Sequence, residues 1–306
     1  MKTENIFPNI VRIVLTTVFV IAVTCFLIIQ FVDLPFVPTW SRIYGSDSEF
    51  DTESDSVTFL NVGEGDSILI RSNGRFVLID TGDGESVDIV RKLKGYGVTT
   101  IDALVLTHWH SDHIGGAVSV AEKFNVLNVV APALPDINNE TYKNAVEVYD
   151  NLRSQNVDFT YAVVGMRINV GDFKLSVLYS DRTNAEENDR SVVMMANCRN
   201  KKFLLMSDAE FLTEAELISE SINLDCDVIK IGHHGSKNST SDDLIEAASP
   251  QYAVISVGVK NKYGHPSDTV LNKLIYKDIL IYRTDRLGDV KFLVEEEEIA
   301  VYEGNS

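Results

Sequence analysis

The segment His108-Trp109-His110-Ser111-Asp112-His113 sets two imidazoles two residues apart, followed by an adjacent carboxylate and imidazole. These are the ligand types that borderline divalent cations such as zinc prefer, and water beside such an ion is activated for attack on a phosphoryl or carbonyl group. All six histidines of the chain fall in three places. The other two are His233-His234-Gly235-Ser236 and Tyr263-Gly264-His265-Pro266. Between the first and second, Phe203-Leu204-Leu205-Met206-Ser207-Asp208 carries an apolar run into a carboxylate, which could equally cap a helix starting at Ala209-Glu210. Adjacent histidines at His233-His234 predict one ligand and one neighbour that steadies it or touches substrate.

These groups need a scaffold that ends several strands at one edge. Ile101–Thr107 is a short apolar run of buried-strand type leading into the first cluster, and Lys202–Met206 and Val228–Ile231 lead into Asp208 and His233 in the same way. Ligands on loops at the C-terminal ends of strands are the arrangement that open α/β sheets use. Further strands are expected at Val57–Val62, Ser67–Arg71, Arg75–Ile79, Val126–Ala131, Phe173–Tyr179, Ser191–Cys198 and Ala253–Val257. Asn73-Gly74 supplies a hairpin turn. Helices are expected near Ser86–Tyr96, Gly116–Phe124, Asn139–Gln155, Glu210–Ser221 and Thr269–Tyr276. Hairpins mixed with strand-helix units predict sheets covered by helices rather than a purely parallel sheet. Glu295–Glu298 reads as a solvated turn between closing strands.

The 306 residues, 45% of them hydrophobic, suffice for one large domain or two modest ones. The formal charge of −18, from 45 acidic and 27 basic residues, repels polyanions and weighs against tight binding of long nucleic acid. Cys25, Cys198 and Cys226 lack the spacing of a zinc ribbon or disulfide framework. Ile10–Val32 is nearly continuous apolar sequence, long enough for the ~20 residues a membrane helix needs. Lys2 and Arg12 lie on its N-terminal side and Asp33, Asp47, Glu49 and Asp51 follow it, which predicts the N-terminus inside and the remainder outside. No small-x-small cleavage site ends the run, so a membrane anchor at 1–33 is expected, with a linker at 34–56 and the catalytic domain at 57–306.

The order Asp80-Thr81-Gly82, then His-Trp-His-Ser-Asp-His, then Asp208, then His233 resembles the metallo-β-lactamase superfamily. More narrowly, Phe59-Leu60-Asn61-Val62-Gly63-Glu64-Gly65-Asp66-Ser67, the HHGS segment and the YGHP segment resemble the extracytoplasmic hydrolase-like domain of the ComEC competence family. The resemblance runs from about Val57 to Ile281 and implies an αββα four-layer sandwich of class α/β with one or two divalent ions, zinc or manganese, in a cleft at the sheet edges. A single expected membrane segment departs from the multi-span channel of that family, so this chain is not expected to translocate DNA by itself.

By that resemblance His108 and His110 hold a first metal, Asp112 and His113 a second, Asp208 bridges them, and His233 completes the second, with His234 as the alternative. The family's further histidine for the first metal has no counterpart between His113 and His233, and Asn188, Asp189 or Ser191 would stand there. Unequal affinities follow, with oxygen-rich donors favouring manganese. Asp80 would steady the histidine loop, Asp112 or Asp208 would orient water, and His265 would contact substrate or protonate the leaving group. Ser236, Lys237 and Lys262 are weaker anion-binding candidates. The expected activity is that of a membrane-anchored extracytoplasmic metal-dependent hydrolase acting on a phosphodiester, in nucleic acid or the cell envelope. Ester, lactone or β-lactam hydrolysis on the same fold, and a metal-binding sensory module without turnover, are the alternatives. Oligomeric state is left open.

Overall fold

The computed structural model describes residues 54–304 except 86, 135–142, 156, 181–185 and 260. The expected membrane segment Ile10–Val32, and all of the linker before residue 54, lie outside the described residues. Among the described residues no helix is long and apolar enough to cross a membrane.

The chain opens with a meander, β1 (Ser56–Phe59), β2 (Ile68–Ser72) and β3 (Arg75–Ile79). Asn73 and Gly74, with φ of 50° and 70°, turn β2 tightly into β3. Then come α1 (Ile89–Gly95), β4 (Thr100–Ile101), β5 (Ala103–Val105), α2 (Ser111–Ile114), α3 (Ala117–Lys123), β6 (Asn125–Val126), β7 (Asn128–Ala131), α4 (Lys143–Ser154) and β8 (Asp158–Tyr161). The second part contains β9 (Arg167–Val170), β10 (Phe173–Tyr179), β11 (Val193–Cys198), β12 (Lys201–Leu205), α5 (Phe211–Ser219), β13 (Val228–Lys230), α6 (Asp242–Ala248), β14 (Tyr252–Ile255), α7 (Asp268–Tyr276) and β15 (Leu280–Arg283). It closes with α8 (Thr284–Leu287), β16 (Val290–Val294) and β17 (Ile299–Glu303), and the four glutamates 295–298 form the exposed turn between the last two strands.

Two mixed sheets result. One runs β17-β16-β1-β2-β3-β5-β7-β8 and the other β15-β14-β13-β12-β11-β10-β9. In each, an antiparallel half adjoins a parallel half: β3, β5, β7 and β8 run parallel in the first, as do β12 to β15 in the second. Side-chain alternation sorts the apolar residues into three cores. Val57, Phe59, Ile70 and Val77 of the first sheet meet Phe173, Leu175, Phe203 and Val228 of the second in the layer between the sheets. Leu78, Leu104 and Val129 pack outward on Leu93, Val120 and Leu152 of α1, α3 and α4. Leu204, Ile229 and Ile255 pack outward on Leu217, Leu244 and Leu274 of α5, α6 and α7. The order of layers is therefore helices, sheet, sheet, helices, which is the α/β sandwich expected.

Two expected strands are each broken in two. Ile101–Thr107 splits at Asp102, whose N–H donates to Phe76 O (2.8 Å) and whose carboxylate accepts from Phe76 N (3.0 Å) and from Arg75. Thr100–Ile101 pairs instead with Asn125–Val126 in a separate two-stranded sheet, so Val126–Ala131 splits as well. The strands β8 and β9 were not expected: both are sheet edges and mostly solvent-facing, so neither carries an apolar pattern. Helix α6 and strand β15 were missed too. The expected helix start at Ser86 moves to Ile89, where Asp88 accepts from Arg91 N as the cap; residues 139–142 of the Asn139–Gln155 helix lie outside the described residues.

Candidate metal centre

The strands β3, β5, β12, β13 and β14 end at one edge of the sandwich and deliver, in turn, Asp80, His108, Asp208, His233-His234 and Ser256. The cluster predicted from sequence is thus assembled by both sheets. Ser207 Oγ donates to Thr107 Oγ1 (2.6 Å), and Val192 N donates to Thr107 O (2.9 Å), fastening the two strand ends together. Asp208 does not cap α5. Asp189 does, its Oδ1 accepting from Glu210 N (3.1 Å) and from Thr213 Oγ1 (3.0 Å), which leaves the Asp208 carboxylate to the cluster.

Asp112, His113, Asp208 and His234 each present one ligand atom, all within 4.8 Å of one another. His113 Nε2 lies 3.4 Å from Asp208 Oδ1, and His234 Nε2 lies 3.4 Å from Asp208 Oδ2 and 3.5 Å from Asp112 Oδ2. His113 Nε2, His234 Nε2 and Asp208 Oδ1 are buried and find no hydrogen-bond partner among the described residues. Buried donors and acceptors are normally satisfied, so three orphaned atoms converging on one point fit a divalent ion. Beside them His108 Nε2 and His110 Nδ1 approach to 3.1 Å, with His108 Nε2 3.9 Å from Asp208 Oδ2. Asp208 accordingly faces both the pair His108 and His110 and the group of Asp112, His113 and His234.

The far sides of the His113 and His234 imidazoles are held. Asp80 Oδ2 is 2.8 Å from His113 Nδ1 while accepting from Thr107 Oγ1 at 2.6 Å, and its Oδ1 accepts from Thr107 N at 2.8 Å. His234 Nδ1 lies 2.9 Å from Ser256 O, so it donates there and turns Nε2 toward the cluster. Four non-glycine residues at these strand ends have positive φ: Asp80 (58°), Ser207 (50°), His233 (44°) and His234 (52°). Such backbone costs ~1–3 kcal/mol each and gathers at functional sites.

The positive φ values at His233 and His234 reverse the order of preference between them. It is His234 that joins the close group; His233 is held at its rim, its Nδ1 2.7 Å from Glu210 Oε1 and 3.2 Å from Asn188 Nδ2, and its Nε2 3.9 Å from Asp208 Oδ2. Asn188, expected near the first metal, therefore sits with His233 and Glu210, its Oδ1 buried without a partner. Ser191 is buried and its Oγ accepts from Asp208 N (3.3 Å). Ser236 is buried and its Oγ accepts from Asn238 N (3.3 Å), so it shapes the HHGS turn rather than facing substrate. His265 lies over His233, ring centroids 5.4 Å apart, with exposed Tyr263 stacked on its other side at 5.9 Å and Lys262 Nζ 5.1 Å from the Tyr263 ring.

Two residues of the site carried no expected role. Asp66, in the loop between β1 and β2, and Lys230, in the middle of the second sheet, are buried and paired at 2.5 Å. A lysine inside the strand pattern Asp227-Val228-Ile229-Lys230-Ile231 was the available signal, because an ammonium in a buried run needs a partner.

Burial and the His113 charge hold His108 well below the ordinary imidazole value. Burial acts the same way on His113 and His234, but Asp208 beside both outweighs it, raising His113 well above 6.5 and His234 to about 10. Burial would raise Asp208, yet His234 and His113 hold it well below the carboxylate range. Burial also opposes ionisation of Asp112, which the neighbouring His234 and His113 imidazoles overcome, lowering it. Burial and the charges of His233 and His234 push His265 down to about 4. Neutral near pH 7, it is poorly suited to the role of a pre-charged acid.

A divalent ion must displace the protons that His113 and His234 hold, so affinity for manganese is expected to rise with pH between 6.5 and about 10. In the metal-free chain the raised histidines stabilise the fold fully below 6.5 and lose that contribution as pH rises through about 10. The depressed Asp112 and Asp208 contribute above 3.8 and lose it as pH falls. Manganese titration by calorimetry at several pH values across this window checks the prediction, and a flat affinity would count against it.

Sequence comparison agrees with the geometry. The pattern that defines the metallo-beta-lactamase superfamily matches residues 60–259. ComE operon protein 3 of Bacillus subtilis is 30% identical over 260 residues, 77% of this chain and 32% of that protein. Competence protein ComA of Neisseria gonorrhoeae is 31% identical over 248 residues, 78% of this chain and 32% of that protein. The chain thus spans about a third of the length of these curated relatives. Among solved structures, the metallo-beta-lactamase fold protein YhfI from Bacillus subtilis superposes with a TM-score of 0.51 at 12% identity, over 82% of this chain and 100% of that one, a likeness of fold alone.

Proposed function

Since the chain belongs to the metallo-beta-lactamase superfamily, we propose that it is a divalent-metal-dependent phosphodiesterase. The observation that carries this reading is Asp208, which faces both the His108 and His110 pair and the group of Asp112, His113 and His234. A pair of divalent ions, if held by these residues, would suit in-line displacement at phosphorus. Divalent ions bound there would polarise the phosphoryl oxygens and favour ionisation of water near neutral pH.

The chain's own residues do the rest. Asp80 and the Ser256 carbonyl fix the tautomers of His113 and His234 so that each Nε2 lone pair faces inward. Asp112, ionised and with its side chain 33% exposed, is placed to orient the attacking water. Neutral His265 and exposed Lys262 line the approach and offer contacts to the non-reacting phosphate oxygens or the leaving group. The charge of −18 favours a small or envelope phosphodiester over long nucleic acid. The reading places this domain outside the cytoplasm, anchored by Ile10–Val32; a C-terminal reporter active only inside the cell would refute that topology.

Purified full-length chain, supplied separately with manganese and zinc, is expected to hydrolyse bis-p-nitrophenyl phosphate and to lose that activity on chelation. Turnover of an ester or lactone panel with none of the phosphodiester or of single-stranded DNA would overturn the assignment.

A further inference from the structure

Lys230 is wholly buried, yet no step of the proposed reaction uses it. It rises from the second sheet toward the loop between β1 and β2, and its Nζ lies 2.5 Å from Asp66 Oδ2. The same ammonium donates to Ser207 O (2.8 Å), immediately before Asp208, and stands 3.8 Å from Asp208 Oδ1, the orphaned oxygen that faces His113. Asp66 is close to the centre on its own account. With Asp80 and His113 it forms a second trio whose ligand atoms lie within 4.8 Å of one another, and its Oδ1 is 3.6 Å from His234 Nδ1, the nitrogen turned toward Ser256 O and away from the cluster. A buried carboxylate so placed adds negative charge just behind the imidazoles of the centre, and the Lys230 ammonium offsets it.

We propose that Lys230 is a built-in cation of the metal centre, which offsets the charge of Asp66 behind the imidazoles and competes for Asp208, so lowering the affinity of the Asp112, His113, Asp208 and His234 group for divalent ions. The proposal rests on the metal-binding part of the function put forward above and not on the reaction. Lys230 is then a positioning residue whose charge tunes the centre. A residue that merely staples the two sheets would act by its bulk and hydrogen bonds.

The two roles differ in sign. Metal-free full-length chain is titrated with manganese by calorimetry for wild type, Lys230→Met, Lys230→Arg, Asp66→Asn and the double variant Asp66→Asn with Lys230→Met. Groups just outside the coordination sphere typically change metal affinity by about 10–100-fold. Lys230→Met frees Asp66 and is expected to tighten manganese binding by at least about tenfold. Asp66→Asn leaves the ammonium unpaired beside Asp208 and is expected to weaken it by a similar factor. The double variant conserves net charge and should return near wild type, as should Lys230→Arg. A staple would instead weaken binding in both single variants and at least as much in the double, and that pattern, or affinity unchanged throughout, overturns the proposal. Should Lys230→Met be recovered unfolded, the double variant against Asp66→Asn decides: tighter binding in the double supports the built-in cation, and equal or weaker binding overturns it. Manganese affinities that follow the expected signs in a chain without phosphodiesterase activity would retire the reaction and leave this role of Lys230 standing.

Discussion

Asp208→Asn is expected to abolish tight metal binding while leaving a folded chain. Asp208 is 1% exposed and its two oxygens face His113 and His234 at 3.4 Å each, with His108 and His233 both at 3.9 Å. Replacing its charge by an amide removes the one carboxylate that every candidate ligand group shares, and it leaves imidazoles that Asp208 had been raising with less compensation. Removing one partner from a buried charged pair costs ~3–5 kcal/mol, a factor of roughly 10²–10⁴ in an equilibrium constant, and manganese affinity should fall by that order. Phosphodiester hydrolysis should fall with it. The control is Asp189→Asn, which touches the start of α5 and not the cluster, and which should lower thermal stability with little change in manganese affinity. Equal affinity in wild type and Asp208→Asn would remove Asp208 from the centre.

Gly65→Ala is expected to be the most damaging small substitution near the site. Gly65 has φ of +102°, and a Cβ added there would lie 1.8 Å from the backbone oxygen of Asp112. The loop between β1 and β2 comes this close because Asp66 N donates to Asp112 O (3.3 Å), tying the Asp66 loop to the histidine loop. Neither backbone can give without moving Asp112 or Asp66. Strain of ~1–3 kcal/mol for the backbone and about as much for overpacking sum to roughly 2–6 kcal/mol. At ~2–4 °C per kcal/mol for a domain of this size, the melting temperature should drop by roughly 5–20 °C. Gly74→Ala separates the two causes. Gly74 also has positive φ (+70°), but a Cβ there meets nothing within 4 Å, so only the strain contribution remains and metal affinity should be unchanged. If both variants melt alike, the close approach at Asp112 is not what Gly65 serves.

Much of this cluster could be read from the sequence because its candidate ligands are local. His108, His110, Asp112 and His113 lie within six residues, and their spacing carries the chemistry whatever the rest of the chain does. Asp208 was legible for a similar reason, as a carboxylate closing an apolar strand. The hairpin at Asn73-Gly74 and the turn at 295–298 could be read from turn chemistry, and the strand-helix alternation pointed to covered sheets. Breaks in strands were not legible. Asp102 divides the Ile101–Thr107 run by binding Phe76 and Arg75 of a different strand, and no local pattern announces that partner.

What the sequence by itself determined, then, is the candidate ligand types and the strand ends that bear them: short-range spacing and alternation depend on neighbours in the chain. Tertiary structure alone decided which of His233 and His234 enters the cluster, since a pair of left-handed backbone angles and the Ser256 carbonyl turn His234 inward. It alone also brought Asp66, in the loop between β1 and β2, to Lys230 of the second sheet, and Asn188 to His233 rather than to His110. A buried charge is tolerated only beside its partner, and that partner is set by how the two sheets face each other, which no spacing along the chain encodes.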